Sequence, residues 1–315
     1  MNKTIYILAP MDGVTDVVFR QMIAEAAPPD VFFTEFVNVD GLQSRGRPRL
    51  MHKLKKASKE SSLVAQIWGK NPENYFKTAA DIVNMGFVGI DINMGCPVKN
   101  VVNSGCCSAL INNRELALEI IKATKAGVNG KIPVSVKTRT GLNEVDFSWH
   151  ELLLKQDISM LTIHGRTTKQ QSKVPANWDD IARVKELRDT LAPNTLIIGN
   201  GDVQNRQQGD MLAEKYGLDG IMIGRAVFSD PFVFAKHSPW QNMSEKAKLQ
   251  MYLKHIQLFS STYPDGPRNW ESLKRMAKVY INNIDNASDL RDTLVRSESI
   301  AGMQLKLNQE IAKLQ

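Results

Sequence analysis

The stretch Gly89-Ile90-Asp91-Ile92-Asn93, closed by the turn Met94-Gly95-Cys96-Pro97, decides the fold. It is a five-residue run of β-branched and apolar character, the length of a strand buried on both faces. Seven further runs share its form: Thr4–Ala9, Val31–Thr34, Leu63–Ile67, Pro133–Lys137, Met160–His164, Thr195–Gly199 and Gly220–Gly224. Helix-like segments lie between them, among them Asp16–Ala26, Pro72–Asn84, Asn113–Ala126, Trp178–Leu191 and Gln204–Lys215. Pro72 and Pro133 stand where a helix and a strand begin. Eight alternating strand–helix units in about 230 residues predict an α/β chain folded as a (β/α)8 TIM barrel. A doubly wound open sheet normally carries a glycine-rich phosphate turn after its first strand. Ala9-Pro10-Met11-Asp12-Gly13 is not one.

The residues that close these runs sharpen the reading. Glu35, Gln66, Asn93, Lys137 with Arg139, His164, Asn200 and Arg225 stand at or just past the ends of successive runs from the second to the eighth. A barrel brings those positions to one face, where barrel enzymes keep their active sites. Any strand must end in something polar, so one or two such residues mean little; a full circuit of this chemistry means more.

Beyond Trp240 the pattern becomes helical: Met243–Phe259, Trp270–Ile284 and Ser288–Leu314, the first two joined across 262–267. The expected division is therefore a barrel over 1–239 and a small helical domain over 240–315. In that domain Lys274, Arg275 and Lys278 place three cations in five residues.

The 315 residues carry a net charge of +7 and 43% apolar side chains. The balance suits a polyanionic partner, since each neutralised phosphate releases counterions. From Arg45 to Lys59 there are seven Lys or Arg and no acid. Solvated faces usually mix signs, so this stretch points toward phosphates. The three cysteines form no disulfide framework, and a reducing cytoplasm is the expected compartment. The N-terminal apolar stretch is too short for a signal-peptide core, and nothing is long enough to span a bilayer.

Gly199-Asn200-Gly201-Asp202 and Gly224-Arg225 follow neighbouring late runs, where barrels commonly hold a phosphate. Glycines let backbone N–H groups approach phosphate oxygens, and Arg225 adds a charged fork. Lys137, closing a buried run, needs an electron-rich partner such as a flavin's pyrimidine edge. Gln66 offers a donor and an acceptor to the same ring. Cys96, in a polar loop at the catalytic face, is a candidate for acid–base or nucleophilic work. Cys106 and Cys107 are adjacent and match no common metal spacing, so no metal is expected.

Together Ala9–Asp16, Asp91–Pro97, Val136–Gly141, His164–Thr167, Gly199–Asp202 and Gly224-Arg225 make the chain resemble the bacterial tRNA-dihydrouridine synthases almost end to end. The resemblance implies FMN on the barrel's C-terminal face, NADPH as reductant and tRNA as partner, in a monomer. It implies that Cys96 gives a proton to C5 of a uracil after hydride reaches C6. Pro10, Met11, Asp12, Gln66, Lys137, His164, Asn200, Gly201, Asp202, Gly224 and Arg225 would bind the cofactor. Glu35, Asn93, Arg139, Lys274 and Arg275 would serve the substrate.

The chain departs from the family pattern at Cys106-Cys107, where Gly or Ala is usual, and at Ser172, Val174, Asn177 and Met276. Thr34–Val37 and Leu273–Arg275 look closest to the subgroup acting on D-loop position 16. The alternatives are a flavin enzyme acting on a free pyrimidine, as in dihydroorotate dehydrogenases, and an RNA-binding barrel without catalysis.

Overall fold

The computed structural model describes residues 3–60, 62–264, 266, 268–282 and 284–314. Nine parallel strands run in order: β1 (Ile5–Leu8), β2 (Val31–Phe33), β3 (Val37–Asn38), β4 (Leu63–Trp68), β5 (Gly89–Met94), β6 (Val134–Arg139), β7 (Met160–His164), β8 (Leu196–Asn200) and β9 (Gly220–Ile223). They pair as β2-β1-β9-β8-β7-β6-β5-β4-β3, and β2 also pairs with β4, so the sheet closes. The expected (β/α)8 barrel is the fold, with strand limits within two residues of those read from the runs.

The ninth strand is no extra stave. Both β2 and β3 pair in parallel with β4, Phe33 opposite Val64 and Val37 opposite Ile67. Four steps along one side therefore match three along the other. One additional residue sits within Thr34-Glu35-Phe36, a bulge that re-aims side chains at the barrel's rim.

Side chains alternate across a strand, so residues two apart share a face. Ile7, Phe33, Val64, Ile198 and Met222 form a small apolar cluster separate from the main core. Two residues further along three of these strands stand Glu35, Gln66 and Asn200. The alternation thus sets an apolar floor inside the barrel and a polar ceiling at its C-terminal end. The opposite strand faces, with the surrounding helices, build the main core. Each fully buried aliphatic or aromatic side chain there contributes about 1.5–3 kcal/mol.

Side-chain caps fix where the helices begin. Asp16, expected as the first helical residue, instead accepts from the Phe19 N–H and caps Val17–Ala26. Asn71 precedes Pro72–Asn84, Asn113 precedes Arg114–Val128, and Asn177 precedes Trp178–Leu191. Such caps satisfy amides that have no partner inside the helix.

One expected helix is divided. Ser288–Leu314 forms Ala287–Val295 and Ile300–Lys313, because Ser299 is extended (φ −154°, ψ 160°) and its hydroxyl accepts from the Gly302 N–H. The remaining helices of the tail are Glu245–Thr262 and Ser272–Tyr280. Asp265 and Pro267 of the expected linker, and Asn283 of the second expected helix, lie outside the described residues.

The helical region is joined to the barrel through aromatic rings. His255 lies 6.2 Å from Phe19 of the first helix, and its Nδ1 is 3.0 Å from the Tyr280 hydroxyl. Tyr252 stacks on Tyr280 at 5.2 Å. Met276, where some relatives were expected to carry His, is buried in this same core. No described helix is long and apolar enough to cross a membrane.

Candidate active site

A cavity of about 620 Å³ opens at the C-terminal ends of the strands. Pro10, Met11, Asp12, Asn93, Cys96, Lys137, Arg139, His164, Asn200, Gly201, Asp202, Gly224 and Arg225 all line it. Phe36, Ser172 and Gln204 also line it, although none was expected among the site residues. Gln66, Glu35, Lys274 and Arg275 stand outside the lining.

Cys96 is held by a relay of amides. Asn93 Oδ1 accepts from the N–H groups of Gly95 and Cys96 at 3.1 and 3.0 Å. Asn93 Nδ2 donates to Gln66 Oε1 at 3.0 Å, and Gln66 Nε2 donates to Asp91 Oδ2 at 2.8 Å. Asp91 Oδ1 accepts from Ser135 at 2.6 Å. Asn93 and Gln66, expected on substrate and flavin, therefore commit these bonds to the cysteine loop and to each other. Burial raises the Asp91 carboxyl to about 6, although Ser135, Gln66 and the Lys137 charge all favour its anion.

The Cys96 thiol is brought down to about 7. The S–H of Cys107 donates to it, the Val98 N–H helps, and the Arg139 and Lys137 charges add to this against the opposing effect of burial. A group whose pKa lies near neutrality is suited to giving and taking a proton.

Two cations stand near the thiol. Lys137 stands opposite Asn93 across β5 and β6. No described residue forms a hydrogen bond or ion pair with its ammonium, and burial, then Arg139, lowers it to about 8. Arg139 acts as a clamp. Its Nε donates to Gly95 O at 2.7 Å, and its Nη1 to Thr167 O and Gln171 O at 3.1 and 3.2 Å. The side chain expected near the substrate thus ties the cysteine loop to the loop after β7.

Arg166, part of the His164–Thr167 motif but expected to carry no role, is buried between His164 Nε2 at 3.2 Å, Asp202 and the Val174 carbonyl at 2.6 Å. A guanidinium only donates, so His164 Nε2 accepts and its proton sits on Nδ1. Burial and the neighbouring cations push the His164 imidazole far below its ordinary range, which keeps it neutral.

The late loops form an anion cradle. Among the described residues the N–H groups of Gly201, Asp202, Val203 and Gly224 donate to no protein acceptor. Gly201 has φ 137°, and a Cβ there would lie 2.6 Å from the Ala176 methyl, so only glycine fits. Asp202 accepts from Arg166, from Arg225 at 3.0 Å and from the Ala176 N–H at 2.9 Å. Asp202 is therefore the counter-charge that holds both arginines in place.

Beside this cradle the turn after β1, the strand paired with β9, closes on itself, since the Met11 N–H donates to Thr15 Oγ1 at 2.9 Å. Glu35, expected on the substrate, is fully buried. It accepts from the Gly13 N–H at 2.6 Å and pairs with Arg268 at 2.9 Å. Arg268 Nε also lies 2.8 Å from Asp16 Oδ2, an ionic contact off the line of a directed hydrogen bond. Arg268 comes from the connection between the tail helices Glu245–Thr262 and Ser272–Tyr280, so the bulge, the first turn and the helical region meet on one guanidinium.

Arg275 reaches the same place. A Cβ on Gly13 would lie 3.7 Å from its Nη2. Lys53 pairs with Asp12 on the rim. Lys274 instead pairs with Glu271 at 3.0 Å and lies over the Trp270 ring.

The basic stretch is not the free strip that its composition suggested. Arg47 pairs with Asp81 and Lys59 with Glu25. Lys55 donates to Thr262 O, and Lys56 to Met85 O and Gly86 O. Among the described residues Arg45 and Arg49 are the two of the seven left exposed without such a partner.

The departures are absorbed locally. Ser172 lines the cavity, the Val174 carbonyl accepts from Arg166, and Asn177 caps a helix. Cys106 and Cys107 are buried free thiols, and no described cluster of three His, Cys, Asp or Glu could hold a metal.

The cavity, its thiol and its unpaired N–H groups lie where barrel enzymes carry out their chemistry, and the class is a (β/α)8-barrel enzyme. The family profile described as dihydrouridine synthase (Dus) matches residues 7–315. A protein of Staphylococcus aureus (strain COL), named probable tRNA-dihydrouridine synthase, is 45% identical over 317 residues, covering 100% of this chain and 95% of its own. One from Bacillus subtilis (strain 168), probable tRNA-dihydrouridine synthase 2, is 44% identical over 303 residues, covering 95% and 91%. The chain belongs to the dihydrouridine synthase family.

More distant solved structures share the fold alone. A morphinone reductase variant in complex with tetrahydroNAD superimposes with a TM-score of 0.51 at 10% identity, over 73% of this chain and 85% of that one. Histamine dehydrogenase from Rhizobium sp. 4-9 gives 0.52 at 13% identity, over 80% and 48%. The expected alternatives, a free-pyrimidine enzyme and a barrel without catalysis, find no support in the full-length relatives.

Proposed function

We propose that this chain reduces the C5–C6 double bond of specific tRNA uridines to dihydrouridine, with FMN held at the barrel's C-terminal end and NADPH as reductant. One observation carries the reading: a thiol tuned to neutral pH faces the same cavity as an unpartnered ammonium and a set of unpaired backbone N–H groups.

The donor set fits a flavin mononucleotide. Gly201, Asp202, Val203 and Gly224 would offer their N–H groups to its phosphate, and Arg225 would add charge. Lys137 would place its ammonium against the electron-rich pyrimidine edge, and His164 would donate from Nδ1. When bound and reduced, the flavin supplies a hydride for C6 of the uracil.

The protein's own part is positioning and proton transfer. Asn93 and Arg139 fix the Cys96 loop from two sides, through amides and the Gly95 carbonyl. Cys96 gives its proton to C5, where carbanion character would otherwise build up, and its affinity near neutrality lets solvent return the proton. The uridine must leave its stack to reach the cavity. We assign residues 1–239 to cofactor and chemistry, and 240–315, with the Arg275 side of the rim, to the RNA.

Mapping dihydrouridine in tRNA from a strain lacking this chain tests the function and names the position. Unchanged dihydrouridine would sink the proposal. Cys96→Ala tests the role within it: the variant keeps a flavin that NADPH reduces, while uridine reduction falls by about 10²–10⁴. Normal turnover would remove Cys96 from the reaction.

A further inference from the structure

Cys107 occupies a backbone position that does not suit it. Its φ of +54° is in the left-handed region, which costs a non-glycine residue roughly 1–2 kcal/mol. Its side chain is nevertheless fully buried, and it begins the short 3-10 turns of Cys107–Asn112. That turn is pinned to the cysteine loop, since Ser108 Oγ donates to the Cys96 carbonyl at 2.9 Å. The pinning sets the Cys107 thiol beside Cys96, across eleven positions of sequence, where it is the leading influence that lowers the Cys96 thiol. Cys106 turns the other way, its Sγ 3.9 Å from Ser104 O. One of the two adjacent cysteines therefore meets Cys96, and the other does not.

We propose that Cys96 and Cys107 form a reversible dithiol–disulfide couple, a modification site at the mouth of the cavity whose oxidant is a hydroperoxide.

Cys96 is the half-buried member and lines the cavity, so the peroxide meets it first. Its thiolate sulfur attacks one peroxide oxygen, and the O–O bond breaks. With hydrogen peroxide the leaving hydroxide takes a proton and departs as water, and Cys96 becomes a sulfenic acid. The Cys107 sulfur then attacks the Cys96 sulfur. The S–O bond breaks, the hydroxyl leaves with the Cys107 proton as a second water, and the S–S bond forms. Two thiols are oxidised and one peroxide is reduced. A dithiol reductant returns both thiols by exchange. The left-handed turn supplies a resolving thiol beside Cys96, so oxidation stops at a recoverable stage instead of passing on to sulfinic acid.

The effect on activity rests on Cys96 acting as proton donor, whereas formation of the bond does not, so the test reads the two separately. The flavin-loaded protein is treated with hydrogen peroxide and divided. One portion is digested without reduction for peptide mass analysis, and the other is assayed for uridine reduction before and after dithiothreitol. The expected result is a Cys96–Cys107 linked peptide, together with a loss of uridine reduction that dithiothreitol restores. Cys107→Gly, which suits the left-handed backbone, should yield no linked peptide and an activity loss that dithiothreitol does not restore. Cys106→Ala should behave as the parent.

Cys96 recovered only as sulfinic or sulfonic acid, or joined to Cys106, would overturn the couple. So would a Cys107→Gly protein whose Cys96 passes to sulfinic acid no more readily than the parent at the same peroxide dose. A Cys96–Cys107 linkage with uridine reduction unchanged would support the couple and refute the role given to Cys96.

Discussion

Two groups of cations in this protein invert what their exposure suggests. The stretch from Arg45 to Lys59 is rich, exposed and free of acids in sequence, yet most of its charges are engaged by carboxylates and carbonyls of the fold. The cations around the cavity are fewer and largely buried, yet Lys137 has no partner among the described residues. A charge is available for function according to what it faces in three dimensions. A free ammonium in a desolvated place marks chemistry, and a dense run marks first of all a need to tie loops down.

The strongest way to break the contrast is at Arg268, whose guanidinium is held between two carboxylates. Arg268→Met leaves Glu35 and Asp16 facing one another without a counter-charge. We expect a loss of about 3–5 kcal/mol in denaturant unfolding of the whole chain. A change within error would mean that the junction contributes nothing to stability. At Lys137, a half-buried cation without a partner among the described residues, stability should hold while chemistry does not. Lys137→Met is expected to lower uridine reduction about 10²–10³-fold, a size typical of lost electrostatic stabilisation, with unfolding little changed.

A smaller effect tests the field these cations create. Alkylation of Cys96 by iodoacetamide in the flavin-free protein should rise about tenfold between roughly pH 6 and 8, because the thiolate reacts and its pKa is about 7. A flat profile across that interval would contradict the tuning. The smallest changes are expected at the surface. Arg275→Ala and Arg49→Ala should each reduce the salt dependence of tRNA binding by about one counterion, with Lys59→Ala, already paired, falling short of that. Equal losses at Lys59 and Arg275 would erase the distinction between engaged and free charge.

The barrel was legible because eight runs of buried-strand length alternate with helical segments, and local pattern alone locates such strands. The strand-end residues were legible for a related reason: the topology sends every one of them to the same face. What stayed hidden depends on partners far away in sequence. Nothing near Gln66 says that its amide is committed to Asp91 and Asn93, and nothing near Glu35 announces Arg268, more than two hundred positions later. The basic stretch misled because composition counts charges without counting their acceptors. The division of the last helix turned on Ser299, whose capping bond is local but whose extended backbone had no signal stronger than the helical periodicity on either side.

The four-against-three count between β2–β3 and β4 also constrains how such a chain can change over evolutionary time. Surface connections of a barrel tolerate insertions and deletions because no ladder runs through them. The second stave has no such freedom. Removing one residue between Phe33 and Val37 would restore an even count, and in doing so would exchange the faces of everything beyond it. Val37, now fully buried, would trade places with Phe36, which lines the cavity. Lineages sharing this bulge should therefore keep its length fixed even where its residues drift, and a library of single-residue deletions across the chain should find 34–36 among the least forgiving positions outside the core.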